Sequence, residues 1–63
     1  MNQVTRYSAP GGYLYQVIAG RDMSSCLTAD RAERVCEMLG RGFMTAFRIA
    51  RDMADSNRVT VKA

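Results

Sequence analysis

The sequence predicts a small α+β domain, ββαβ in chain order and dimeric, on three observations. Two stretches rich in β-branched and aromatic residues flank a Pro-Gly-Gly turn near the N-terminus. One apolar face then keeps helical phase from Thr28 to Asn57, and the alternating run Arg58-Val-Thr-Val-Lys62 follows it. The 63 residues make a single domain, 1–63. A chain of this size buries only about 60% of its unfolded surface, and such domains commonly add a disulfide, a metal or a second copy.

Residues 3–8 and 13–19 read as the strands of a β-hairpin, because Pro10 fixes φ and Gly11-Gly12 accept φ > 0 between them. In the second strand Tyr13, Tyr15, Val17 and Ala19 share one face, and Leu14, Gln16 and Ile18 the other. Neither face is strongly polar. Gly20 to Leu27 is a connector in which Ser24-Ser25-Cys26-Leu27 is a weak candidate for a further strand.

Thr28 is the expected N-cap of the helix, with Asp30 in the first turn where a negative charge suits the helix dipole. On a helical projection Ala32, Val35, Cys36, Leu39, Gly42, Phe43, Ala46, Phe47, Ile49, Ala50, Met53 and Ala54 fall within an arc of about 160°. Each glycine of Gly40-Arg41-Gly42 costs about 1 kcal/mol inside a helix. The apolar phase nevertheless runs straight through them, which predicts one long helix over 28–56 that bends near 40–42; two helices joined by a turn are the alternative. Asp55-Ser56-Asn57 ends the pattern, and 58–62 reads as a strand that returns to the hairpin.

The stripe Leu39, Gly42, Phe43, Ala46, Phe47, Ala50 and Met53 is the expected core or dimer face. Within it Gly42, Ala46, Ala50 and Ala54 form a ladder of small residues that lets another backbone approach. A 28-residue helix is about 42 Å long. Strands of six or seven residues reach only about 20–24 Å. On that comparison the sheet leaves part of the stripe uncovered, so a homodimer is expected.

Two cysteines, Cys26 and Cys36, and no histidine cannot fill a four-ligand structural zinc site. A disulfide between them is conceivable, but a cysteine on an apolar arc is more commonly free and buried. No leader and no run of about 20 apolar residues is present, so the chain reads as a complete cytoplasmic protein with reduced thiols and no membrane span.

Net charge is +3, yet residues 28–56 carry five basic and five acidic side chains. The excess lies in Arg6, Arg21, Arg58 and Lys62, opposed only by Asp22. Arg34, Arg41 and Arg48 line up on the polar face of the helix. The pairs Asp30–Arg34, Glu37–Arg41, Arg48–Asp52 and Arg51–Asp55 favour a neutral solvated face over a phosphate-tracking one. Tyr7, Tyr13 and Tyr15 with Arg6 and Arg21, and Met44 on the polar side of the helix, are candidate partner-binding residues.

Catalysis finds little support, for there is no histidine, no phosphate loop and no nucleophile elbow; no cofactor is implied. The expectation is a non-catalytic regulatory protein that binds and modulates another protein, of the kind frequent among phage and mobile-element anti-defence factors. A nucleic-acid-binding regulator is the alternative. If the chain breaks at Gly40–Gly42, Ser24–Leu27 followed by two helices resembles a ribbon-helix-helix dimer, although that segment lacks basic or amide residues to read bases. A structural subunit of a larger assembly is a third class.

Overall fold

The computed structural model describes residues 1–53 and 57–63. In chain order these form β1 (Asn2–Ala9), β2 (Gly12–Ala19), β3 (Asp22–Met23), α1 (Ala29–Leu39), α2 (Arg41–Asp52) and β4 (Arg58–Lys62). The strands make one antiparallel sheet in the order β3-β2-β1-β4.

The hairpin forms where the sequence places it. Ala9 pairs with Gly12 across a two-residue turn, and Gly11 at φ 86° takes the left-handed position that follows proline in a type II turn. That turn sets the register: Arg6 lies opposite Tyr15 and Val4 opposite Val17. On the other side of β1, β4 brings Val59 opposite Arg6 and Val61 opposite Val4. The extra strand is Asp22–Met23 rather than Ser24–Leu27, which contributes one bridge, Tyr15 with Leu27.

The helical segment departs from the expected single helix. Thr28 caps it as expected, its Oγ1 accepting from the Arg31 amide at 3.4 Å. At Gly40, however, φ is 121° and ψ −178°, far from helical values. The Gly40 amide donates to the Cys36 carbonyl at 3.1 Å, and its carbonyl accepts from the Met44 amide at 3.1 Å. One residue therefore ends α1 and begins α2. Coaxial helices over 29–52 would be about 36 Å long, whereas the longest dimension of the molecule is 27 Å.

Folding the stripe in two gives each half a place on the sheet. Helix α1 lies against β2, and α2 against β1 and β4. Nothing in the length of the stripe now calls for a second copy to cover it. Continuous phase does not distinguish one helix from two when both halves face the same sheet. Helix α2 ends at Asp52, with Met53 already extended, four residues before the expected end at 56; the final part of that expectation, 54–56, lies outside the described residues.

The core joins Val4, Tyr15, Val17 and Val59 of the sheet to Ala32, Cys36, Ala46, Phe47 and Ala50 of the helices. Small side chains dominate the helical side, so the helices sit close to the sheet, and Phe47 packs on Tyr15 with ring centroids 5.1 Å apart. Of the ladder, Ala46 and Ala50 pack within their own chain and Gly42 is exposed, while Ala54 lies outside the described residues.

Candidate functional site: the uncovered face of the sheet

Both helices cover the same side of the sheet. Register assigns Gln3, Thr5 and Tyr7 of β1, Leu14, Gln16 and Ile18 of β2, Met23 of β3, and Arg58, Thr60 and Lys62 of β4 to the opposite side. Leu14 and Ile18 are half-buried and take no part in the core. No strand position on the face carries a carboxylate, and two carry cations.

Side-chain bonds hold the middle of this surface in place. Thr5 and Thr60 meet through their hydroxyls at 3.0 Å, and Thr5 is only 2% exposed despite lying on the uncovered side. The Tyr7 hydroxyl donates to Gln16 Oε1 at 3.1 Å, and Gln16 Nε2 donates to the Ser24 carbonyl at 3.1 Å. The Arg58 guanidinium sits 5.5 Å from the centre of the Tyr7 ring, within cation–π range. The result is a surface with Leu14, Ile18 and Met23 at one side and Arg58 and Lys62 at the other.

The six candidate partner-binding residues do not share one exposed surface; Arg6, Tyr13 and Tyr15 meet on the helix side of the sheet. Arg6 is 1% exposed and lies in the core side of the sheet, where Nη1 donates to the carbonyls of Ala50 at 2.8 Å, Arg51 at 3.2 Å and Met53 at 3.1 Å. It receives the C-terminal, negative end of α2, and its guanidinium lies 4.3 Å from the Tyr13 ring centre. Tyr15 is buried in the core, where desolvation raises its pKa and the nearby Arg6 opposes that rise. Tyr13 is partly exposed on the helix side of β2, and Arg21 is exposed in the turn before β3. Met44 is half-buried against the core. Tyr7 alone lies on the uncovered face. Of the stripe, Ala46, Phe47 and Ala50 are buried, Phe43 half-buried, and Leu39, Gly42 and Met53 exposed.

Both cysteines are free, Cys26 exposed and Cys36 buried. Burial pushes the Cys36 thiol up to about 11, which keeps it protonated and unreactive at neutral pH. The polar helix face is less paired than its spacing suggests. Arg51 bonds Asp52 at 3.1 Å, while Asp30–Arg34, Glu37–Arg41 and Arg48–Asp52 form no ion pair; the break at Gly40 takes Glu37 and Arg41 out of helical spacing. Arg51–Asp55 falls outside the described residues. At the helix junction Glu37, Arg41, Met44, Thr45 and Arg48 line an open groove of about 460 Å³.

Among the described residues no three potential metal ligands cluster, and no helix is long and apolar enough to cross a membrane. Comparisons with protein-family models, with curated proteins and with solved structures find no match to this chain.

Proposed function

We propose that this protein is a non-catalytic binding module that holds another protein against the uncovered face of its sheet and thereby modulates it. The observation that carries the reading is the composition of that face: Tyr7, Leu14 and Ile18 on the same surface as Arg58 and Lys62, with no carboxylate among its strand positions. Aromatic, aliphatic and arginine side chains are those that supply binding energy at protein interfaces. The bonds Thr5–Thr60 and Tyr7–Gln16 preset the surface, which lowers the ordering cost of association.

Nucleic acid is the second reading, favoured by cations without acids on one face. Against it, the single aromatic ring on the face lies beside Arg58 and its hydroxyl is engaged, so it presents little for a base to stack on.

The test compares affinity capture by the wild-type protein, by Tyr7→Ala/Leu14→Ser, and by Arg48→Ala on the exposed helix surface. A partner retained by the first and third, and bound about 30-fold more weakly by the second, is the expected result. A partner held equally by all three overturns the assignment of this face. Salt-sensitive binding to duplex DNA or single-stranded RNA, lost in the face variant, transfers the assignment to nucleic acid.

A further inference from the structure

The two edges of the sheet are finished differently. On the β2 side the connector after β3 occupies the outward backbone groups. The Val17 amide donates to Ser24 Oγ at 2.9 Å, and the Val17 carbonyl accepts from the Ser24 amide at 2.9 Å. Tyr15 and Leu27 exchange both bonds, at 2.8 and 2.7 Å.

Among the described residues the β4 edge has no such cover. Its bonds to β1 begin with the Ser8 amide on the Asn57 carbonyl and end with the Ala63 amide on the Asn2 carbonyl, both at 2.9 Å. The antiparallel pattern alternates, so Val59 and Val61 also face β1, and Thr60 and Lys62 direct amide and carbonyl outward. Among the described residues no backbone group bonds to Thr60 or Lys62 from that side. An open edge of this kind is a template for another strand.

We propose that the β4 edge takes up an extended acidic segment of the partner protein as a fifth strand. The proposal rests on the protein-binding reading above and names the class of partner. Charge selects the occupant: on the uncovered face the edge presents the exposed Lys62 beside Thr60, with Arg58 against the Tyr7 ring at its other end. A second copy fits this edge poorly. Antiparallel pairing of two whole β4 strands centres on Thr60 and sets Arg58 of each copy opposite Lys62 of the other, a like-charge cross-strand pair. A strand with glutamate or aspartate at alternate positions instead meets cations on the uncovered face while its backbone completes the ladder.

The probe is a short fluorescein-labelled peptide alternating glutamate and valine, compared with its lysine–valine counterpart. Anisotropy and amide exchange are measured on the whole chain. Expected are binding of the acidic peptide alone, weakening with salt, and exchange at the Thr60 and Lys62 amides slowed about tenfold or more. Lys62→Glu should weaken binding about tenfold. Thr60→Pro should abolish it and Thr60→Val, which deletes only the hydroxyl bonded to Thr5, should not; the circular dichroism spectrum should be unchanged in both, because the amide that proline removes points away from β1.

Equal binding of the two peptides, undiminished binding to Thr60→Pro, or no binding overturns the proposal. So does protection of the same amides without peptide in a species of twice the mass, which assigns the edge to a second copy. A partner lost with Tyr7→Ala/Leu14→Ser but retained by Thr60→Pro removes the fifth strand and leaves the face reading standing. A partner indifferent to both removes the face reading as well.

Discussion

Arg6 supplies three hydrogen bonds to the last carbonyls of α2 from one nitrogen, in the interior of the molecule. Lysine has no guanidinium plane to lay on the Tyr13 ring and a shorter reach, so it cannot hold these carbonyls and the packing on Tyr13 together. Arg6→Lys is expected to cost about 2–3 kcal/mol, read as a melting temperature lower by roughly 10–20 °C. Had Arg6 been a surface contact for a partner, the same change would leave the melting temperature almost unmoved.

Arginine clustered with tyrosines is the composition of a binding surface, and on that ground Arg6 is a binding candidate from sequence. The signal to the contrary was present. A two-residue turn at Pro10-Gly11 puts Arg6 opposite Tyr15, on the face that also carries Val17. Cys36 makes a second prediction at this scale. Its folded-state pKa is raised, so the protonated form favours folding; that contribution is fully present below about pH 9 and is lost as pH climbs toward about 11. Tyr15, raised by burial, adds in the same direction above pH 10. The urea midpoint should therefore fall between pH 9 and 11, less steeply in Cys36→Ala. An unchanged slope in that variant would exclude the Cys36 thiol as a source.

Between the elements, the two glycines of Gly40-Arg41-Gly42 have opposite requirements. Gly40 holds a φ of 121° that L-residues rarely adopt, although space for a side chain is open. Gly40→Ala should cost about 1–3 kcal/mol through backbone strain alone. Gly42 is helical, and a Cβ there meets the Ala63 carbonyl carbon at 3.7 Å, an ordinary contact. Gly42→Ala should raise stability by up to about 1 kcal/mol. Thermal unfolding of the pair checks both signs, and a stabilised Gly40→Ala would mean that the chain accepts a continuous helix.

The hairpin, the Thr28 cap and β4 were legible because each depends on neighbours in sequence: a turn dipeptide, a capping hydroxyl, a two-residue alternation. The break at Gly40 was not. Both helices turn their apolar sides to one sheet, so the phase of the stripe is the same whether the axis is straight or folded. Strand β3, two residues long with no alternation of its own, exists through the bonds β2 offers it.

Across the whole molecule, the uncovered face was only half legible. Leu14, Gln16 and Ile18 were grouped correctly on the side opposite Tyr15, but their association with Arg58, Thr60 and Lys62 follows from β4 pairing with β1 rather than with β2. That placement is a long-range choice, made by Val59 and Val61 completing the core beside Val4, and no local pattern announces it.

The same placement orders the life of the chain. Strand β1 is an inner strand of the sheet, yet the neighbour that gives it that position is made only after both helices. Until residues 58–62 emerge, Val4 lacks one of its flanks and Arg6 lies at a raw edge. A growing polypeptide can form the hairpin and helical turns early. Its cooperative closure waits for β4, and any process that delays or displaces that strand acts on the fold as a whole.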